Sequence, residues 1–456
     1  MAKTKKKQAN AKTPTSLPVL RANAAGIDIG ATEMFVAVPA DRAAENVRSF
    51  PTFTQDLYRL VQWLKDCGVE TVAMESTGVF WIPLFQILED AGFEVFLVNA
   101  RHVRSVPGRK TDVQDCQWLQ FLHSVGLLRA SFRPAQDVCA IRSLLRHRKS
   151  LVEMAASHTQ HMQKAMTQMN LHIHHVISDL TGKTGLAIID AILSGERNPH
   201  TLATLRDSRI KASEEVIVKS LVGDYRSEHI FTLRQSLAAY RHYEKLVHDC
   251  ESEINRSLEE FNGPESHDGG ESSRRSEDCQ TSSDGLLLRE LKRAFGVDLS
   301  AVTGLSVATV QMLFGEIGSD FTKFSSASAF ASWLTLCPNN DISGGKVLKS
   351  KTRKTKSRAT TALRIAAYSL HHSKSFIGEF YRRMRAKLGA PKAITATAHK
   401  LARIIFHLVT SKQEFDESRL IADHTHHHQR QEAGLRRKAK ALGYALVPLE
   451  PGLAPA

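Results

Sequence analysis

Cysteine is scarce in this chain and follows no pattern. The six residues, Cys67, Cys116, Cys139, Cys250, Cys279 and Cys337, are scattered, with no C-x-x-C pair and no metal-ligand spacing. That argues against a disulfide framework or a cysteine metal site and fits free thiols in a reducing, cytoplasmic setting. Long apolar runs are missing too. Nothing approaches the ~18 residues that suggest a bilayer span, so no membrane partner is expected. The N-terminus, "MAKTKKKQANAKTPTSLP", is basic but has no apolar run behind it, so it reads as neither signal peptide nor anchor. Residues 1–23 are expected to be a flexible basic arm. What the chain has in excess is positive charge, +14 over 456 residues. Such a balance suggests a polyanionic partner, nucleic acid before membrane surface. Charge alone leaves open a basic protein with no such partner.

With 42% hydrophobic residues the chain can build real cores, and its length suggests two or three domains. "AAGIDIGATEMFVAVPA" reads as two strands joined by a tight connection, and "ENVRSF" as a third. "TQDLYRLVQWLKDCG" has helical spacing, with Leu57, Leu60, Val61 and Leu64 on one face. "ETVAMES" is a buried strand, after which Ser76 or Thr77 is placed to cap the helix "VFWIPLFQILEDAG". "FEVFLV" is a further strand and "TDVQDCQWLQFLHSVG" a further helix. A meander followed by alternating strand and helix predicts a mixed α/β sheet over residues 24–133. Residues 134–262 are polar and poor in glycine, with apolar positions such as Ile230, Leu233, Leu237 and Tyr240 at helical spacing. They predict long helices, either an antiparallel pair or a coiled-coil dimer arm, broken at "TGKTGL" and "SGERNPH". Residues 263–285 are rich in Ser, Gly and charge and read as a disordered insertion. A helical domain is expected over 286–411 and a tail over 412–456. The tail's "HTHHHQRQ" run reads as solvated, since nothing nearby completes a metal site.

Four carboxylates stand out in the first domain. Asp28 interrupts the first strand between Ile27 and Ile29, and Glu75 ends a later one. Asp112 and Asp115 are three apart, hence neighbours on one helical face, just after Arg109 and Lys110. Singly, each has a plain explanation: an outward-pointing strand position, a charge at a helix N-terminus, or a solvated face. Together they form an oxygen donor set of the kind magnesium takes alongside substrate phosphates. Two such ions about 3.5–4 Å apart can stabilise both the attacking and the leaving oxygen of phosphoryl transfer. Arg109 and Lys110 would then hold the neighbouring phosphate. The order strand Asp, strand Glu, two helix Asp is similar to the RuvC type of the RNase H-like fold.

The last domain opens with a helix, a "TGLS" turn and a second helix. It reads equally as a helix-hairpin-helix-like phosphate contact or as a hairpin buried in a core. Further on, Lys346, Lys349, Lys351, Arg353, Lys354, Lys356 and Arg358 crowd into residues 346–358 behind a Gly-Gly turn. A charge run is commonly a solvated face, but inside a folded domain phosphate-backbone contact is the better reading. Ser343 heads the run, as a turn residue or as an exposed nucleophile that the glycines let a phosphate reach.

"GIDIGATEMFVAV", "VAMESTGVFWIPLFQILEDAGFEVFLVNARHVRSVPGRKTDVQDCQWL", "SAVTGLSVATVQMLFGEIGSDFTKF", "CPNNDISGGKV" and "LGAPKAITATAHKLARIIFHLV" together resemble the DEDD transposases of the IS110 family. The last segment resembles its IS1111 group, and the family is related to the Piv DNA invertases. The resemblance spans residues 24–411 apart from 263–285. It implies a RuvC-like domain whose Asp28, Glu75, Asp112 and Asp115 bind Mg2+. It also implies a C-terminal transposase domain whose catalytic serine is Ser343, and composite sites formed across a homo-oligomer, dimer or tetramer. The serine attacks a DNA phosphate, strands of donor and target DNA are exchanged, and a structured noncoding RNA guides the choice. The helical middle would be an assembly arm, and the basic surface would hold RNA as well as DNA.

Three other functions fit parts of the pattern. "GIDIGAT" is similar to the first phosphate loop of the sugar-kinase and actin superfamily of ATPases. The second Asp-Gly-rich loop and the Gly-Gly adenosine site of that class are absent downstream, and the charge suits it poorly. A RuvC-like junction nuclease would need the carboxylates without the serine. A noncatalytic nucleic-acid-binding protein would need neither.

Overall fold

The computed structural model describes residues 17–76, 78–99, 112–261, 283–355, 357–418 and 432–445. Its contacts divide the chain into two units, residues 1–133 and 134–456.

The first unit is a five-stranded mixed sheet. Its strands are β1 (Ala24–Ile29), β2 (Glu33–Ala37), β3 (Val47–Pro51), β4 (Thr71–Glu75) and β5 (Glu94–Val98), in the order β3-β2-β1-β4-β5. β2 runs antiparallel to β1 and β3, whereas β4 is parallel to β1 and β5. Side chains alternate across a strand, so each strand sorts its residues between two cores. Ile27, Ile29, Val72 and Met74 face α1 (Thr54–Asp66) and α2 (Trp81–Asp90), whose Leu57, Leu60, Leu64, Leu84 and Leu88 complete one layer. Ala73 and Val98 face the other way, onto Leu119 and Leu122 of α3 (Asp112–Ser124). A meander followed by alternating elements, with helices on both faces, is the expected mixed α/β architecture and is consistent with an RNase H-like fold. The expected cap of α2 is not formed by Ser76, because the helix begins after Phe80, with no side-chain cap bond. Thr77 lies outside the described residues.

Of the N-terminal arm, residues 1–16 lie outside the described residues. The stretch that follows is tied down: Leu20 and Arg21 donate backbone N–H bonds to the Ser124 carbonyl at 2.8 and 2.9 Å.

The second unit is built on two long helices, α4 (Gln136–Gln168) and α9 (Ser227–Glu260). They run antiparallel, as shown by Arg148 paired with Glu251 and His158 stacked on Tyr243 at 5.4 Å. Between them, α5 (Ile173–Val176), α6 (Lys183–Leu193), α7 (Pro199–Ala203) and α8 (Glu214–Ser220) wrap a separate apolar cluster that includes Met166, Ile188, Ile189, Ile217 and Leu233. Breaks fall at or beside the two glycine-bearing stretches named from sequence, and also at 169–172, 204–213 and 221–226.

The same unit continues with α10 (Ser283–Phe295), α11 (Val307–Ile317), α12 (Ala327–Trp333), a two-stranded hairpin of β6 (Pro338–Ser343) and β7 (Lys346–Thr352), then α13 (Arg358–Ser369), α14 (Phe376–Leu388) and α15 (Ala390–Ser411). Arg142 on α4 donates to the carbonyls of Gly315 and Glu316 at 2.9 and 2.7 Å. A guanidinium there satisfies orphan carbonyls at the α11 C-terminus and complements its dipole. Residues 283–285 belong to α10, and the rest of the expected insertion lies outside the described residues. So does the His-rich run. Residues 432–441 form a final helix. Among the described residues no helix is long and apolar enough to cross a membrane.

One buried polar pair sets a pH dependence. His123, on the last turn of α3, is fully buried, and its Nε2 lies 2.8 Å from the Thr71 hydroxyl. That hydroxyl itself donates to the Glu94 carbonyl at 3.0 Å, which assigns the ring proton to Nε2. Burial first, and the Arg21 charge second, push the imidazole down to about 4. The unfolded chain, with its histidine near 6.5, therefore binds more protons in the window between the two values, and stability falls as pH falls through it. The fold is expected to be about 2 kcal/mol less stable at pH 5 than at pH 8 on this account. Urea unfolding at the two pH values checks it. His123→Gln, which keeps the N–H donor but cannot titrate, should flatten that part of the profile.

Candidate active site

Asp28 and Glu75 are brought together by strand register. In the parallel β1–β4 ladder Gly26 stands opposite Ala73 and Ile27 opposite Met74, so Asp28 and Glu75 are the next positions at the carboxyl ends of two neighbouring strands. They lie on the Gly26 and Ala73 face, opposite the Ile27 and Met74 core. Carboxyl ends of strands are where open α/β sheets bind ligands. Both side chains are half-buried.

The face they share is the one α3 covers. A Cβ placed on Gly26 would stand 2.3 Å from the Cys116 carbonyl oxygen and 2.3 Å from the Gln120 nitrogen, so helix backbone rests directly on strand backbone. Asp115 is half-buried one turn into that helix, beside Cys116. Burial, with the Asp28 and Asp115 charges acting in the same direction, pushes the Cys116 thiol up to about 12. Two carboxylates distant in sequence thus act on one sulfur. Asp112 begins the helix, but its side chain, like all of Arg109 and Lys110, lies outside the described residues. Among the described residues no group of three or more His, Cys, Asp and Glu forms a metal site. The donor chemistry of the quartet nevertheless suits a hard divalent cation, because all four are carboxylates.

Ser343 and the basic run occupy an element that the sequence reading lacked. Residues 286–411 were expected to be helical, yet 338–352 form an antiparallel hairpin. The signal for it was present. Gly344 and Gly345 both have positive φ, 54° and 76°, the conformation a two-residue hairpin turn requires and glycine adopts without strain. Ser343 is exposed at the tip, directly opposite Lys346. Lys346, Lys349 and Lys351 line β7, and Lys354 follows it, exposed. Arg353 donates to the Ser332 carbonyl at 2.8 Å and so fastens the hairpin base to α12. Arg358 opens α13, and Lys356 lies outside the described residues. In the "TGLS" turn Leu305 is buried, Thr303 and Gly304 are half-buried and Ser306 is exposed.

A mixed sheet consistent with an RNase H-like fold, carrying carboxylates at its strand ends, and a helical unit bearing an exposed basic ribbon suit a DNA-processing enzyme of the transposase and recombinase class. Residues 25–171 match a family model described as a transposase, of the DEDD type of IS110. Residues 298–382 match one described as transposase, IS116/IS110/IS902 family. The chain belongs to the IS110 family of transposases. No curated protein matches it.

Gly26 gives a direct test of how the site is positioned. Gly26→Ala adds one methyl where there is no room, and overpacking of this kind costs about 1–3 kcal/mol. Strand-cleavage activity is expected to fall at least about tenfold even where urea unfolding shows the protein still folded, since α3 must lift off β1. Unchanged activity would mean that the helix position is not critical.

Proposed function

We propose that the protein is the recombinase of an insertion sequence, exchanging DNA strands through a phosphoserine link formed by Ser343. The observation that carries this reading is the convergence of Asp28, Glu75 and the α3 helix on one face of the sheet, in a chain whose family is that of transposases. In the first step the Ser343 oxygen bonds to phosphorus as one phosphorus–oxygen bond to deoxyribose breaks. The serine hydroxyl proton is lost, and the freed sugar oxygen gains one. In the second, a sugar hydroxyl from another strand attacks the phosphoserine, and Ser343 is released. The bond energy of the phosphodiester is conserved through both steps, so strands are exchanged rather than hydrolysed.

Asp28, Glu75, Asp112 and Asp115 would hold Mg2+. Such an ion supplies positive charge to the phosphoryl oxygens as they accumulate negative charge. Arg109 and Lys110 would steady the adjoining phosphate. Donor and target DNA are the substrates, and a noncoding RNA from the element is the guide, a partner the +14 charge is suited to hold. Assembly as a dimer or tetramer is supported by the long α4–α9 pair, which leaves Val152, Met154 and Phe231 exposed.

The reading predicts a protein–DNA adduct that survives denaturing gels. Ser343→Ala should abolish it. Asp28→Asn and Asp112→Asn should slow its formation by about 100-fold or more, as should chelation of the metal. An adduct that persists in Ser343→Ala would remove the serine from the mechanism, and cleavage without any adduct would favour a junction nuclease.

A further inference from the structure

The β6–β7 ribbon has two chemically different faces, and a bulge makes them so. Cα partners across an antiparallel ladder share a face, and successive residues alternate. Asn339, Asp341 and Ser343 therefore share one face with their partners Lys351, Lys349 and Lys346. Pro338, Asn340 and Ile342 share the other with Thr352, Ser350 and Val347. Between Asp341 and Ile342 the register shifts, and Leu348 is left with no opposite number. Lys346 and Lys349 are three residues apart, so an unbroken ladder would put them on opposite faces. The extra residue returns Lys349 and Lys351 to the side of Lys346 and Ser343.

One face thus carries three ammonium groups, one carboxylate and the serine. Asp341 lies 3.6 Å from Lys349 and offsets only part of that charge. The other face carries no charge at all, and its Ile342 and Val347 are 62% and 54% exposed. Every residue of the ribbon is exposed except the half-buried Thr352, and nothing lies within 4 Å of a Cβ placed on either turn glycine. A two-stranded ribbon standing alone is marginal in water, so a ligand on the lysine face would also order it.

We propose that the lysine face is a track for the backbone of one DNA strand, and that Lys346 is the positioning residue that holds the phosphodiester at Ser343. The proposal rests on the reading of Ser343 as nucleophile. The lysines' partners Ser343, Asp341 and Asn339 follow one another at two-residue strides, so the cations are spaced about 7 Å apart along the ribbon. That is close to the through-space separation of successive phosphates on one strand, so neighbouring lysines reach separate phosphates. Lys346, opposite Ser343, has the last phosphate before the turn.

Charge relocation tests it, using the full-length protein with its retained nucleic acid and a DNA duplex from the element's end. Lys349→Ser with Ser350→Lys, and Lys351→Thr with Thr352→Lys, each keep the net charge but move one ammonium to the other face. Each pair should weaken DNA binding as much as the single loss of that lysine, and reduce the slope of log affinity against log salt by about 0.7–0.9. Relocated variants that bind like wild type would overturn the track, because charge would then act without a face. Effects seen with an RNA duplex alone would overturn it too, by assigning the face to RNA. Lys346→Gln should slow adduct formation at least about 100-fold at saturating DNA, with partial rescue by Lys346→Arg. An unchanged saturated rate would remove Lys346 from its role. Should Ser343→Ala keep the adduct, delivery to Ser343 is excluded, while the relocation variants still decide whether the face binds DNA.

Discussion

The carboxylate site depends on the absence of one methyl group. Gly26 lets the α3 backbone rest on β1, and everything that brings Asp115 toward Asp28 follows from that contact. The carboxylates cannot supply the attraction themselves. Like charges at 4 Å repel by about 1 kcal/mol in water and about 4 at an effective dielectric of 20. The opposing force is apolar. Ala73, Val98, Leu119 and Leu122 close the α3 face of the sheet, and Cys116 is buried beneath the acids. The small residues Gly26 and Ala73 sit directly opposite one another, so the sheet is thin where the helix crosses it.

The far end of the same helix is held by different chemistry. His123 is locked to Thr71, packs against Phe96 with ring centroids 4.5 Å apart and offers its carbonyl to Arg21. One end of α3 carries acids, and the other holds a neutral imidazole, its basicity depressed by burial and by the Arg21 charge beside it. A helix anchored in a buried, hydrogen-bonded corner can present acids at its opposite end without sliding. The arm contributes here, since Leu20 and Arg21 bond to Ser124. Its last residues are thus part of the N-terminal unit's structure.

Most of the fold was legible because its elements obey one period each. Ile27, Ile29, Val72 and Met74 repeat at two, while Leu57, Leu60, Val61 and Leu64 repeat at three and four, and each repeat maps onto one buried layer. The pairing of Asp28 with Glu75 follows from strand order, which alternation of strand and helix suggests. What escaped reading has a local cause. The hairpin at 338–352 is exposed on both faces, so no burial alternation marks its strands, and the crowding of lysines reads as loop. Only the Gly-Gly pair at the turn betrays it. The capping role given to Ser76 failed because the chain makes a further turn before α2, through Val79 and Phe80. The Leu348 bulge has no sequence mark at all. It is a property of pairing, and pairing shows only in the structure.

On the proposed reading, the exposure of Ser343 answers a demand of the substrate. A DNA phosphodiester is part of a stiff, highly charged polymer and cannot be drawn into a buried cleft as a small molecule is. If Ser343 is the nucleophile, as proposed, its hydroxyl must reach the phosphate, and a ribbon tip with two glycines behind it gives a carrier of little bulk. Exposure has a second consequence. A serine hydroxyl is a weak nucleophile until a base, a metal or a cation acts on it. Among the described residues the helical unit sets only Lys346 directly opposite Ser343, and an ammonium is no base. The acids that suit a metal belong to the sheet unit. On the proposed reading, acid and hydroxyl belong to different units of the chain, so the basic ribbon can bind DNA without itself carrying the acids. For a transposase, separating affinity from reactivity is the safer arrangement, and on the proposed reading the face-sorted lysines of β7 would provide the affinity without supplying the base.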